Sequence, residues 1–541
     1  MTDAIDTNAW SRPREPGGFR RRAMLQGAAA SALATPALGQ RMPTLRFVPQ
    51  ANLSAIDPIW TTATVTGNHG YYVYDTLYSA DSQLKAQPQM ADGHEVSDNG
   101  RTWRFRLREG LRFHDGTPVR AADCIASLRR WAVREPIGQL LARIVDGWIV
   151  VDDRTFELRL SKPFPLMLDA LAKPDSSIPF IMPERIAATD ASKAFTEVVG
   201  SGPYRFLPDE FVSGSRVAYA RFDEYVPRRE APDWATGGKV AHFPRIEWQI
   251  IPDSATAAAA LQRGEVDWWE RPLNDLLPTL QKRRDIRTLV QDPSGRVALM
   301  RLNHLQPPFD DVRIRRAVLM SVDQKEYMQA ANGDDPDLWK VCPSLYPCGT
   351  PYQSEAAARR LMRGDLEAAA RMLKEAGYAG QRVVIINPTD YPQIGPLGQV
   401  TADRLRRIGM NVDLQESDWG TVIQRRASRE AADKGGWSIF HTTGSSPGYS
   451  NPAVSTLVRG QGAAGWFGWW NSPKAEGMVQ EWMETTDGDA SKALATAIGD
   501  LALEEVATVP LGMFFVRTAF RSGLTGVIEG PAPYPWGIRP L

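Results

Sequence analysis

No stretch of this 541-residue chain approaches the roughly 20 consecutive apolar residues that a bilayer-spanning helix needs. Cysteine is scarce, three residues in all, so no disulfide scaffold carries the fold. An excess of either charge is missing too: 63 basic side chains meet 63 acidic ones, which removes the basic footprint of a nucleic-acid binder. Histidine is sparse and scattered. His69, His94, His114, His242, His304 and His441 form no pair with metal-ligand spacing, and His94-Glu95 lacks the second helical histidine of a zinc protease. There is no G-x-x-x-x-G-K-[ST] phosphate loop and no G-x-G-x-x-G after a strand. No cofactor is therefore expected. What remains is an ordinary globular composition, 43% hydrophobic and 23% charged, on a chain too long for one compact core.

Residues 1–39 read as a processing segment. A polar leader ends in Arg20-Arg21-Arg22, a weakly apolar run follows, and Ala37-Leu38-Gly39 offers small residues at a cleavage site. Arg21-Arg22-Ala23-Met24-Leu25-Gln26 resembles a twin-arginine export signal, with Met and Gln where Phe and Lys are usual. The alternative is an arginine-rich tail with an alanine-rich helix. Removing the segment leaves 58 basic and 60 acidic residues, net −2. The expected product is soluble and periplasmic. Export allows Cys342 and Cys348, which bracket a turn-rich Pro343-Ser344-Leu345-Tyr346-Pro347 loop, to close as a disulfide. A metal site would need two further ligands, and none lies near. Cys124 reads as an inert buried thiol.

Downstream the pattern is mixed α/β. Strands are expected at 45–49, 102–108, 204–206, 216–219 and 246–250, with an alternating hairpin at 149–160 and a helix-like apolar run at 71–78. Beyond Ser294 longer helices (313–320, 366–376, 398–408, 490–505) separate single strands at 383–386, 411–415, 437–441 and 511–516. Gly444-Ser445-Ser446-Pro447-Gly448 matches a nucleophile elbow, but Pro447, Gly448 and Pro452 obstruct the required helix, and no histidine follows Ser446. A carboxylate-pair hydrolase has no feature that calls for it. The chain reads as a binder rather than an enzyme.

One motif block is specific. Trp103-Arg104-Phe105-Arg106-Leu107-Arg108-Glu109-Gly110-Leu111-Arg112-Phe113-His114-Asp115-Gly116-Thr117-Pro118 resembles the signature of the extracellular solute-binding protein family 5, the receptors of peptide, nickel and opine ABC importers. Ser201-Gly202-Pro203-Tyr204-Arg205-Phe206, Pro307-Pro308-Phe309-Asp310-Asp311-Val312-Arg313 and Ile408-Gly409-Met410-Asn411-Val412 fit the same family in order. The resemblance implies a two-lobed periplasmic binding protein of type II, class C, with three domains and a ligand cleft between the lobes. It implies domain I at 40–80, 200–296 and 509–541, domain II at 81–199 and domain III at 297–508. Hinge crossings are expected at 295–298 and 508–511. The implied function is capture of a peptide or peptide-like solute by hinge closure, with delivery to an inner-membrane ABC permease by a monomer. The alternatives are another solute on the same fold (opine, sugar or metal chelate) or a hydrolase using Ser446.

The resemblance also directs attention to Tyr72, Asp390, Trp419, Thr443, Ser445, Ser446 and Tyr449 as ligand-binding candidates. Trp419 is a stacking residue or ordinary core. Dipeptide-binding members carry an aspartate in the loop matching 442–452 and an arginine near the helix matching 391–401, whereas this chain has no charge in either stretch. A desolvated charge needs an opposite partner, so the expectation is a neutral, polar or aromatic ligand and weak binding of free dipeptides. Trp466, Phe467, Trp469 and Trp470 are a cleft wall or a core.

Overall fold

The computed structural model describes residues 44–175, 177–485 and 487–541, and the expected export segment with Arg21-Arg22 lies outside them. Two large sheets organise the chain. The first has seven strands in the order Tyr204–Phe206, Arg216–Arg221, Arg245–Gln249, Leu45–Val48, Trp268–Trp269, Arg517–Arg521, Ile286–Val290. Leu45–Val48 runs parallel to both neighbours. A central parallel strand is covered on both faces, and its near-continuous apolar sequence answers that. Phe47 packs against Trp248 and Trp268 with ring centroids 5.6 and 4.8 Å apart.

The second sheet has six strands in the order Trp339–Lys340, Val509–Phe514, Arg296–Leu302, Ile439–Ser445, Arg382–Pro388, Asn411–Ser417. Arg296–Leu302 is buried at every residue. Helix Gly395–Arg407 joins the parallel pair Arg382–Pro388 and Asn411–Ser417. A four-stranded antiparallel sheet, Ala91–Ser97, Thr102–Leu107, Thr155–Leu160 and Val145–Val150, stands apart from both. In Thr102–Leu107 the alternation reads out directly: Trp103, Phe105 and Leu107 are buried while Arg104 and Arg106 are exposed. No helix among the described residues is long and apolar enough to cross a membrane.

The chain leaves the first sheet after Val290, joins the second at Arg296, and returns between Phe514 and Arg517. The return therefore lies beyond the expected 508–509 boundary. Val509–Phe514 pairs with Arg296–Met300, with Phe514 opposite Arg296. Its apolar sequence is buried throughout and carries no mark of which sheet it joins. Gly295 fixes the outward crossing: its φ is +78° and a Cβ there would meet Met513 Cε at 2.5 Å. Two further differences are local. The run 71–78 is not one helix; helix Thr64–Val73 ends there, and the short strands Asp75–Thr76 and Tyr78–Ala80 follow. The strand expected at 437–441 is Ile439–Ser445, so residues 442–445 are strand rather than loop.

Candidate functional site

The two large sheets define two lobes, and polar side chains from both meet where the crossings run. The start of helix Thr64–Val73 and the strand tail Gln50 come from the first lobe. The end of Ile439–Ser445, the turn Ser446–Tyr449 and helix Trp419–Arg425 come from the second. Arg271 Nη1 donates to the Tyr391 hydroxyl at 2.6 Å, which donates on to Gln50 Oε1 at 3.1 Å. The Ser445 amide donates to Asp175 Oδ2 at 3.0 Å, and Ser445 Oγ donates to Asp292 Oδ2 at 2.7 Å. Arg426 Nη2 donates to the hydroxyls of Thr61 and Thr62 at 3.2 and 3.3 Å. Trp466 Nε1 reaches the same Thr62 hydroxyl at 3.3 Å. The lobes are closed on each other.

Several buried polar atoms at this junction have no hydrogen-bond partner among the described residues: Gln50 Nε2, Ser54 Oγ, Arg296 Nε, Trp419 Nε1, Arg426 Nε and Thr443 Oγ1. Buried donors and acceptors are nearly always satisfied within a stable fold; other orphans lie inside the lobes, at Tyr72 and Trp248 for example, but those at the junction come from both lobes, where a polar solute would satisfy them. A cavity of about 430 Å³ has Thr62 and Trp466 of this lobe contact in its lining, together with Trp60, Arg134, Arg429 and Phe467. That is within the range of small-molecule sites. A more voluminous hollow, about 770 Å³, lies on the outer face of the four-stranded sheet among Arg104, Arg106 and Arg154. Among the described residues neither hollow is lined by one that carries an orphaned atom; the smaller is set apart by Thr62 and Trp466, which hydrogen-bond to each other from the two lobes.

The sequence-derived candidates divide in this geometry. Trp419 is buried, with its ring edge-on to Tyr391 at 5.3 Å and Arg426 over it at 5.8 Å. Asp390 accepts from the Trp419 amide at 2.7 Å and so positions it; burial raises the Asp390 carboxyl above its ordinary range. Thr443 sits opposite Ala298 in the second sheet, and Ser445 bridges the lobes through both carboxylates named above. Ser446 Oγ donates to the Gly295 carbonyl at 2.9 Å, fastening the turn to the crossing. Tyr449 is buried against Gly444, where a Cβ would meet its hydroxyl at 2.3 Å. Burial raises the Tyr449 phenol, with Asp175 adding to that and Arg296, Arg426 and Arg301 opposing it.

Tyr72 does not join them. It packs on Tyr204, Tyr219 and Trp248 in the aromatic core of the first lobe, with centroids 4.7–5.9 Å away. Helical periodicity marks a buried position but not which neighbour buries it. The tryptophan cluster splits as well. Trp466 and Phe467 lie against Arg301 and Arg426 at 4.7 and 4.9 Å, whereas Trp469 stacks towards Trp437 and Trp470 Nε1 donates to Glu505 within the second lobe. Cys342 and Cys348 form a disulfide with S–S 2.05 Å, away from the junction, and Cys124 is free and buried. His441 pairs with the Thr401 hydroxyl at 2.8 Å, not with Ser446, and burial pulls it down to about 3. No group of three or more metal-ligating side chains with metal-site geometry occurs among the described residues.

The charge at the junction comes from segments other than the two singled out in the sequence. The stretches 442–452 and 391–401 are indeed uncharged, but other segments reach in. Arg296 begins the central strand of the second sheet and Arg426 caps helix Trp419–Arg425; both are 1% exposed. Burial, with Arg271 close by, holds the Arg296 guanidinium below its ordinary range, and burial pulls Arg426 down to about 10. Nothing in their spacing announced them: 130 residues of chain separate two side chains that approach the same threonine-rich segment.

Comparison with known proteins agrees with this architecture. The model of the bacterial extracellular solute-binding proteins, family 5, matches residues 85–464. A probable peptide ABC transporter periplasmic-binding protein of Sinorhizobium fredii is 38% identical over 491 residues, covering 90% of this chain and 92% of its own. Among solved structures, the binding protein AgaA of A. tumefaciens in complex with agropinic acid superposes with a TM-score of 0.76 at 22% identity, covering 92% of this chain and 99% of that one. A dipeptide-binding protein of Pseudoalteromonas in complex with Met-Leu gives 0.74 at 20% identity, covering 92% and 100%. These likenesses establish the two-lobed periplasmic binding protein fold. By family model and by relative, the chain belongs to the bacterial extracellular solute-binding proteins, family 5.

Proposed function

We propose that the chain is the receptor of an ABC importer: it takes a small peptide-like solute between its lobes, closes on it, and presents the closed form to an inner-membrane permease. The observation that carries this is the set of orphaned buried polar atoms at the junction, contributed by both lobes. Closure alone leaves them unsatisfied, and a polar solute would satisfy them. The crossings at 291–295 and 515–516 are short and few, the arrangement that permits hinge motion. The relative from Sinorhizobium fredii is named for peptide transport, which supports the peptide-like class. On this reading the protein is exported through its Arg21-Arg22 segment, works in the periplasm as a monomer, and performs no chemistry on its solute.

Ligand-driven closure is directly measurable. Small-angle scattering of ligand-stripped protein is expected to show a more open particle that contracts when a peptide or opine is added, with a fluorescence change from Trp419 and Trp466 at the junction. A scattering profile that no member of such a panel alters would count against the receptor reading.

A further inference from the structure

Arg296 and Arg426 differ from an ordinary buried cation. Neither makes an ion pair among the described residues, and each keeps an orphaned Nε in the interior. Their terminal nitrogens converge on one short segment: Arg296 Nη2 donates to Thr64 Oγ1 at 3.3 Å, and Arg426 Nη2 donates to Thr61 and Thr62. Thr64 is the first residue of helix Thr64–Val73, a ten-residue helix whose N-cap, Ala63, provides no side-chain hydrogen bond. The first amides of a helix have no acceptor inside it, and its dipole favours negative charge there. Around Arg426 the rings of Phe467, Phe440 and Trp419 stand 4.9, 5.7 and 5.8 Å from the guanidinium and exclude water. Asp175, Asp292 and Glu270 act on Arg296 electrostatically, yet Asp175 accepts from the Ser445 amide, Asp292 from Ser294 and Ser445, and Glu270 from the Gln50 amide and Asn68.

Resting on the receptor reading, we infer that the N-terminus of helix Thr64–Val73, flanked by Arg296 and Arg426, is a seat for an anionic group of the solute, and that the solute class is carboxylated. A planar carboxylate matches the guanidinium fork, and one placed here would accept from the two orphaned Nε groups and from the amides that precede Thr66, whose own amide donates to the Ala63 carbonyl. This seat lies on other residues than the uncharged stretches 391–401 and 442–452, so it replaces, at a new position, the charge those stretches lack.

The test uses the full chain purified from its own periplasm. Solutes released on denaturation, identified by mass spectrometry, are expected to include an acidic compound at one per chain, and a chain carrying Arg296→Gln and Arg426→Gln is expected to release at least about tenfold less. Failure to find any acidic solute overturns the seat. In parallel, Met-Leu and its C-terminal amide are titrated calorimetrically into ligand-stripped protein. The free acid is expected to bind about a hundredfold more tightly than the amide, and Arg426→Gln to shrink that ratio about tenfold. Equal affinities for acid and amide, or equal weakening of both by the substitution, also overturn it. If neither form binds while an acidic non-peptide solute is released, the peptide-like reading fails and the seat stands.

Discussion

Buried cations inside the lobes and buried cations between them are handled in opposite ways. Within the first lobe Arg130 pairs with Asp57 at 2.7 Å, both essentially without exposure, and adds the carbonyls of Thr189 and Lys193. Lys239 pairs with Asp75 at 2.7 Å in equal seclusion, and in the second lobe Arg459 pairs with Glu476 at 2.7 Å. Arg301 has no carboxylate, yet it donates to the carbonyls of Phe467 and Ala507 and to the Thr508 hydroxyl beneath Trp466. Arg296 and Arg426 are just as buried, and the hydrogen bonds their guanidinium groups make among the described residues go only to threonine hydroxyls. A fold that compensates its interior charges elsewhere leaves these two for something it does not itself contain. The contrast separates cations that hold the lobes from cations that await a solute.

Removing a structural partner should have the largest effect. Asp57→Asn strands Arg130, and losing one member of a buried pair costs about 3–5 kcal/mol. Urea unfolding of the ligand-stripped protein is expected to show that loss; a change near zero would erase the contrast between the two groups of cations.

Acid should act next. His69 and His441 are pulled down to about 3, and His114 to about 4, by burial. Each is neutral when folded, whereas the unfolded chain protonates near 6.5. Their stabilisation is thus complete above about 6.5 and is lost as pH falls towards the folded values, by about 2 kcal/mol per histidine at pH 5. His441→Gln should flatten that part of a stability-against-pH curve, and an unchanged slope would show that His441 is not held neutral.

Trp466→Phe should have a smaller effect. It keeps a ring over Arg301 but removes the Nε1 bond to Thr62, about 1 kcal/mol, and that bond joins lobe to lobe. The ligand-stripped form should open slightly in scattering while the unfolding midpoint hardly moves. A loss of several kcal/mol would assign Trp466 to the core instead.

The fold was more legible than the site because the two depend on different ranges of sequence. The period-two pattern of Trp103, Phe105 and Leu107 and the strand–helix–strand unit from Arg382 to Ser417 are local, so patterning revealed them. The two-residue sheet change at Phe515 was invisible, since an apolar strand buried on both faces reads alike in either sheet. Trp419, Thr443, Ser445 and Tyr449 became candidates through the segments that match a recognisable family. Arg296 and Arg426 did not, because their meaning lies in what fails to pair with them after folding. A carboxylate such as Asp175, 270 residues from the amide it accepts, leaves no trace in spacing either.

The claim that Arg296 and Arg426 serve the solute rather than the fold has one direct test. The unfolding free energy of ligand-stripped protein is measured with both residues intact and with both replaced by glutamine. Relieving two buried charges that have no ion pair among the described residues is expected to leave stability unchanged or raise it by about 1 kcal/mol or more, even as solute affinity collapses. A loss of about 3 kcal/mol or more in the ligand-stripped double variant would show that these arginines hold the lobes themselves, and would contradict the account.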